Sequence, residues 1–296
     1  PDHVFVFGAD HIYRMDVRLM YGLHLERDAD LTVATIPVPI EEAHAFGIVE
    51  VDENWRIIGF EEKPQTPKPM PGDPSRALVS MGNYVFRTTA LIRELTRDAE
   101  TESSHDFGKN ILTTMIHRAP CYAYDFATNT VPGMVETERG YWKDIGTLDT
   151  YFKANMDLIS VTPQFNLYNR DWPIRTANYP NPPAKFVFAD HEGNRVGMAN
   201  DSLVSNGCIV SGGRIERSIL SANVRANSFS AISDSVLFEG VTVGRHARVR
   251  RAIVDKNVFI EPGAEVGFDA ERDRARGYTV TDSGITVVPK LTVVSK

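Results

Sequence analysis

The sequence predicts an α/β domain followed by a parallel β-helix, and three observations carry that expectation. Residues 1–160 alternate short apolar runs with segments of helical period, the pattern of strands and helices layered together. Residues 161–200 lose that pattern, because Pro163, Pro173, Pro180, Pro182 and Pro183 break it repeatedly, which marks a linker. From 201 to 296 apolar residues recur every six positions, as in Leu203, Ile209 and Ile215 and, after a frame slip, in Val241, Ala247, Ile253 and Phe259. Six is neither the period of a strand nor that of a helix. It suits a prism-shaped coil with three short flat sides, each sending one apolar residue inward. A β-sandwich with irregular turns is the competing fold, but its strands would alternate with period two.

The elements of the first domain follow in order. Val4 to Phe7 reads as a buried strand and Val17 to Arg27 as a helix, with Leu19, Met20, Leu23 and His24 on one side. Leu31 to Pro37 is a second strand. Ile48 to Val51 and Ile57 to Phe60 form a β-pair around the turn Asp52-Glu53-Asn54. Ser80 to Phe86 is a strand, Leu91 to Arg97 a helix, Phe107 to Arg118 a helix and Cys121 to Phe126 a strand. The Pro-rich stretch 64–74 is a surface loop, a candidate lid or rim. The chain opens with Pro1-Asp2-His3 and enters a strand at once. A parallel strand this apolar is normally flanked by others, so earlier strands are expected upstream.

Length, charge and cysteine usage bound the function. With 296 residues, two domains are the prior. A net charge of −7 gives a nucleic-acid partner no general electrostatic support. An anionic sugar or nucleotide phosphate would need local help from a Lys, an Arg or a metal. Two distant cysteines, Cys121 and Cys208, make neither a disulfide framework nor a zinc pattern, and fit a reducing cytoplasm. No apolar run is long enough to predict a membrane span.

The stretch Gly140-Tyr141-Trp142-Lys143-Asp144-Ile145-Gly146-Thr147 sets an acid just before a helix that continues through Leu148, Tyr151, Phe152, Asn155, Met156 and Ile159. Asp144 reads either as a helix cap or as a metal ligand. Asp10 follows the first strand, where groups in open α/β sheets face a ligand crevice. Two such carboxylates would suit Mg²⁺, which takes one or two acids plus substrate phosphates. Lys63 after Glu61-Glu62 is a candidate phosphate partner, and Glu62 can accept from sugar hydroxyls. Solvated charges at a strand end are the plainer reading of the same run. Gly47 offers close backbone approach, Ser80 a hydroxyl, and either Ser104 or Asp106 a helix N-cap. Arg245, Arg248, Arg250 and Arg251 form a basic cluster in the coil, read equally as an anionic-effector site or as a solvated face. His246 among them is read as a surface residue rather than an acyltransferase base.

Taken together, these motifs resemble the bacterial glucose-1-phosphate adenylyltransferases. The strings that carry the likeness are Gly8-Ala9-Asp10-His11-Ile12-Tyr13, Phe60-Glu61-Glu62-Lys63-Pro64, Ser80-Met81-Gly82-Asn83-Tyr84, Ser103-Ser104-His105-Asp106-Phe107-Gly108-Lys109 and Tyr141-Trp142-Lys143-Asp144-Ile145-Gly146-Thr147. Trp172-Pro173-Ile174-Arg175-Thr176, Pro183-Ala184-Lys185-Phe186 and the hexad coil extend it over essentially the whole chain. The resemblance implies a Rossmann-like nucleotidyltransferase domain at 1–160, truncated at its N-terminus, a linker at 161–200 and a left-handed parallel β-helix of hexapeptide repeats at 201–296. It implies the joining of ATP and glucose 1-phosphate into ADP-glucose and pyrophosphate, the committed step toward bacterial glycogen. By matching position, Asp10 would be the catalytic acid and a Mg²⁺ ligand, and Asp144 the second ligand. Lys63 would hold the sugar phosphate. Glu62, Ser80 and Gly47 would contact the glucose ring, with Asp106, Phe107 and Trp142 shaping that pocket. The resemblance further implies a cytoplasmic homotetramer controlled by an anionic glycolytic effector.

No Gly-x-Gly cluster followed by basic residues occurs in these 296 residues. The triphosphate cradle and part of the effector site are therefore expected upstream, and the chain alone is expected to make no ADP-glucose. Two other functions compete: a sugar nucleotidyltransferase using GTP, UTP or dTTP, and a non-catalytic regulatory subunit. The branch-specific strings Ser-Ser-His-Asp-Phe-Gly-Lys and Trp-Pro-Ile-Arg-Thr oppose the first. Retention of both Asp10 and Asp144 opposes the second. A hexapeptide acyltransferase is a more distant alternative.

Overall fold

A computed structural model describes residues 1–177, 179–190 and 192–296. The chain divides into two compact units: Pro1–Lys143 with Asn169–Trp172, and Asp144–Tyr168 with Pro173–Lys296. Two residues of the expected 161–200 linker, 178 and 191, lie outside the described residues.

The first unit is built on a sheet of β1 (His3–Val6), β3 (Leu31–Pro39), β4 (Gly47–Val51), β5 (Ile57–Glu62), β6 (Arg76–Arg87) and β7 (Cys121–Asp125), with β2 (His11–Tyr13) outside it. The strand order is β5-β4-β6-β3-β7, and β1 also pairs with β6. Only β3 and β7 run parallel; the other pairs are antiparallel. The first strand was expected to be buried and parallel. It is half-buried and pairs antiparallel with β6, and Phe7, expected to end it, is 42% exposed. The helices α1 (Val17–Glu26) and α2 (Thr88–Ala99) pack on the sheet. Asp16 caps α1 by accepting the N–H of Arg18 at 3.0 Å, so one orphan donor of the first turn is satisfied. Met20 and His24 face inward as expected, whereas Leu19 is exposed.

The long strand β6 creates the site. Its first half meets β4 through Val79 and Ile48; its second half meets β1 from Tyr84 onward. Between them Gly82 takes φ +70, and its N–H is held by Ser80 Oγ at 3.2 Å. A side chain there would be strained, so Gly is the residue that lets β6 change partners. The opposite strand shifts register between Val33 and Thr35 at the same level. The Pro-rich loop is tied back where the Met70 N–H meets the Arg76 carbonyl at 2.8 Å and its side chain packs on the core.

The helix expected over Phe107 to Arg118 is different in kind. Phe107–Leu112 is a π-helical turn, in which the Ile111 N–H reaches back five residues to the Asp106 carbonyl at 3.3 Å. Regular helix follows only at α3 (Thr113–Met115). Beyond β7 come β8 (Trp142–Asp144), which pairs with β2, and α4 (Leu148–Asp157).

The second unit contains a parallel β-helix whose period explains the frame slip in the sequence. Thr242 stacks on Arg225, Ile253 on Val236 and Arg248 on Ala231, each 17 residues further along, one short of three hexads. Three inward rows result: Val210, Ala226, Val243 and Ile260; Ile215, Ile232, Val249 and Val266; Leu220, Leu237, Val254 and Val288. All are at most 1% exposed. A strict count of six therefore misplaces some residues. Leu203 and Ile209 are only half-buried, and Phe259 is 44% exposed, on the outward side of its rung. The corners need left-handed backbone, and the sequence supplies it in columns such as Asn223, Gly240 and Asn257. Rungs also occur inside the expected linker, at Lys185–Val187 and Met198–Asn200. An outward row of Ile219, Val236, Ile253 and Val287 packs against Tyr151, Phe152 and Met156 of α4. The helix α5 (Ala270–Ala275) is inserted in the last coil and held by buried Asp273, whose Oδ2 accepts from Gly267 and Thr286.

Candidate active site

The register of β4 with β5 places Gly47 opposite Glu62. Phe60 fills the space beside them: a Cβ on Gly47 would lie 2.5 Å from Phe60 Cζ and 3.0 Å from Glu62 Oε2. The same ring faces Gly108, where a Cβ would lie 3.1 Å away and 3.3 Å from Asp106 Oδ1. Phe107 stacks on Tyr84 with ring centres 5.8 Å apart, and packs at a tilt against Phe86 at 5.7 Å. Burial raises the pKa of the Tyr84 phenol, with the nearby Asp106 and Glu62 carboxylates adding to the effect and Ser80 opposing it. Gly47, Glu62, Ser80, Asp106 and Phe107 are thus gathered around Tyr84 and Phe60, at the point where β6 exchanges neighbours. Asp106 is also the N-cap, accepting the Lys109 N–H at 2.8 Å, while Ser104 instead donates to Asn110.

Lys63 follows β5 directly. Its backbone takes φ +48 and its N–H meets the Phe46 carbonyl at 3.0 Å. Its side chain is exposed, and among the described residues the ammonium has no hydrogen-bond or ion-pair partner. Phe46 in turn meets the edge of Trp142 at 5.4 Å between ring centres, and Trp142 meets His11 at 5.2 Å. The indole Nε1 is buried and has no hydrogen-bond partner among the described residues, which leaves a donor for a bound molecule. His11 Nε2 lies 3.6 Å from the Asp10 carboxylate. A continuous series of contacts therefore runs from Asp10 through His11, Trp142 and Phe46 to Lys63.

Asp144 ends β8. Its carboxylate accepts the Gly146 N–H at 2.8 Å, which turns the chain toward α4. The cap of α4 is Thr147, which accepts from the Thr150 N–H at 3.1 Å, so the capping reading of Asp144 is corrected. Mg²⁺ favours hard carboxylate oxygens, and Asp10 of the first unit has that chemistry: its side chain is 64% exposed, with His11 beside it. No cluster of three acidic, His or Cys ligands occurs among the described residues.

The four coil arginines do not form one free cationic patch. Arg248 pairs with Glu265, which also receives Arg272 at 2.8 Å. Arg248 and Arg250 stack on Phe268 at 4.5 and 4.6 Å, and Arg251 donates to the Ser283 carbonyl at 2.8 Å. Arg245 is exposed, and among the described residues its guanidinium has no recorded partner. His246 stacks on Phe229 at 4.9 Å.

Sequence reasoning gave no role to Phe60, Phe46, His11 or Tyr84. His11 and Tyr84 stand inside quoted motifs, and Phe60 opens one. Their contacts depend on strand register and on β2 pairing with β8, which no local pattern reveals.

Residues 1–161 match the family described as nucleotidyl transferase, and residues 182–288 the one described as GlmU-like, C-terminal hexapeptide. The chain is therefore of the nucleotidyltransferase class, with a parallel hexapeptide coil after the α/β unit. It is 58% identical to a glucose-1-phosphate adenylyltransferase of Anaeromyxobacter sp. (strain Fw109-5), over 98% of this chain and 71% of that protein. It is 53% identical to the enzymes of that name from Parafrankia sp. and Thermus thermophilus, over 98% of this chain and 70% of each. The chain belongs to the glucose-1-phosphate adenylyltransferase family. No described helix is long and apolar enough to cross a membrane.

Proposed function

We propose that the first unit binds glucose 1-phosphate and serves its condensation with ATP into ADP-glucose and pyrophosphate, for glycogen synthesis. The observation that carries this reading is the gathering of Gly47, Glu62, Asp106 and Phe107 around the Phe60 and Tyr84 rings, beside Ser80 on β6. That arrangement offers several hydrogen-bonding groups to a polyhydroxylated ring, with Phe60 and Phe107 as apolar walls. Lys63 follows Glu62 directly, and its ammonium, without a partner among the described residues, supplies a cation for a phosphate attached to that ring.

In the reaction, a phosphate oxygen of the sugar attacks the α-phosphorus of ATP. The bond from that phosphorus to the bridging oxygen breaks, and pyrophosphate leaves. The protein does no covalent work; it aligns two anions and offsets their charge. Glu62, Ser80 and Asp106 orient the sugar, Phe107 and Trp142 shape its pocket, and Lys63 neutralises its phosphate. Asp10 would be a ligand of Mg²⁺, which when bound withdraws charge from the phosphate oxygens. Both cysteines are free and buried, which supports a cytoplasmic setting. We assign the coil to homotetramer assembly, and Arg245 and Arg250, which have no hydrogen-bond or ion-pair partner among the described residues, to an anionic glycolytic effector.

Pyrophosphate release, measured in the enzyme that carries this chain with glucose 1-phosphate and each of ATP, GTP, UTP and dTTP, tests the reading. ATP should be preferred strongly. Equal use of another nucleotide would assign the chain to a different sugar nucleotidyltransferase, and no release with any would favour a regulatory subunit.

A further inference from the structure

The loop that delivers Asp106 and Phe107 to the sugar pocket is fastened from outside it. Asp98 stands in the last turn of α2 with its side chain 11% exposed. One of its oxygens accepts from Ser103 Oγ at 2.7 Å, and the other meets His105 Nδ1 at 2.6 Å. Ser103 Oγ also accepts the His105 N–H at 3.1 Å. The Asp98 carbonyl receives both the N–H and the hydroxyl of Thr101, at 3.0 and 2.9 Å. His105 itself has φ +55, a conformation that residues with side chains rarely adopt unless their surroundings impose it. The next residue, Asp106, returns to extended backbone and begins the π-turn.

We infer that the Asp98–His105 pair is a latch that positions Asp106 and Phe107 for glucose 1-phosphate. This rests on the proposed function and deepens it. The geometry separates the two tasks. The His105 imidazole is committed to Asp98 on α2, while its backbone sets where Asp106 and Phe107 go. With the latch made, the left-handed turn at His105 is fixed before substrate arrives, and Phe107 is held against Tyr84 and Phe86. Without it, residue 105 relaxes toward ordinary backbone, and binding must restore the turn. Asp98 and His105 are therefore positioning residues, not groups that touch the sugar. The depressed pKa of Asp98, caused first by the hydrogen bond from His105 and then by that from Ser103, accords with a carboxylate kept charged for this pair.

The latch predicts a pattern across variants that mere stabilisation does not. His105→Ala should weaken glucose 1-phosphate binding about tenfold, as for loss of one charge-assisted hydrogen bond that orders the site. The KM for ATP should change less than about twofold, since no part of the latch faces the nucleotide in this reading. His105→Asn should recover most of the loss, because Asn tolerates left-handed backbone and can still donate toward Asp98. His105→Gly permits the turn without enforcing it and should remain weak. The assay, on the enzyme that carries this chain, is calorimetric titration with glucose 1-phosphate alongside steady-state kinetics, with Lys63→Ala in the same series and circular dichroism to monitor folding. Unchanged sugar affinity in folded His105→Ala, with Lys63→Ala weakened, would overturn the latch and leave the sugar site standing. Full affinity in His105→Gly would also overturn it, since the imidazole would then be dispensable. If the unsubstituted protein binds no glucose 1-phosphate, the latch and the proposed function fall together.

Discussion

Gly47 and Phe60 are in mutual contact that leaves no room for a side chain at position 47. A Cβ there would come within 2.5 and 2.8 Å of two ring carbons, and the ring cannot retreat freely because Gly108 lies on it as well. Both glycines are therefore explained by one aromatic ring. Gly47→Ala should destabilise the first unit by about 1–3 kcal/mol, the usual cost of overpacking, and weaken glucose 1-phosphate binding. Urea unfolding and calorimetry on the same variant check both. Gly47→Ala combined with Phe60→Leu should recover part of the stability, since the smaller side chain vacates the space.

Asp10 is expected to matter for turnover rather than for sugar affinity. Its carboxylate is exposed and, apart from His11, has no ion-pair or hydrogen-bond partner among the described residues. Asp10→Asn in the enzyme that carries this chain should lower kcat by about two orders of magnitude or more, with glucose 1-phosphate binding nearly unchanged. Turnover and sugar titration, measured on one preparation, separate the two effects.

His24 should make the first unit sensitive to acid. It is 1% exposed; its Nδ1 bonds Thr32 Oγ1 at 2.8 Å, and its Nε2 has no partner among the described residues. Burial pushes its pKa down to about 4, with the nearby His3 and Arg87 charges acting in the same direction. The unfolded chain takes up that proton near pH 6.5, before the folded one does. The associated stability is therefore present above pH 6.5 and is lost as pH falls toward 4. Its size is on the order of 3 kcal/mol. Urea midpoints between pH 7.5 and 4.5 should fall for the unsubstituted chain and flatten for His24→Gln.

The coil should show corner-specific costs. Asn257 has φ +57 in the column that also holds Asn223 and Gly240. Asn257→Ala should cost about 1 kcal/mol and Asn257→Gly much less, because only the former strains the left-handed backbone. Thermal unfolding of the two variants gives the comparison.

The sequence carried the coil better than its individual rungs. The period of six was visible because each flat side buries one apolar residue. Phe259 was placed inward by strict counting, yet it is 44% exposed, because one side in each coil is a residue short. In the α/β unit the sequence strings held Gly47, Glu62, Ser80, Asp106 and Phe107, but not the reason they meet. That reason is the exchange of partners along β6 at Gly82 and the β4–β5 register, both non-local. The π-turn at Phe107 was likewise hidden, since its apolar spacing also suits an ordinary helix. Asp144 was legible as an acid before a helix, while its true local role, holding the Gly146 N–H, needed coordinates.

The central claim is that the first unit is a glucose 1-phosphate site with Lys63 as its phosphate partner. Titration of glucose 1-phosphate into the unsubstituted chain and into Lys63→Ala tests it most directly. The account predicts saturable binding that Lys63→Ala weakens by roughly 1.5–3 kcal/mol, with the fold unchanged by circular dichroism. Absence of binding by the unsubstituted chain, or equal affinity in the two proteins, would contradict it.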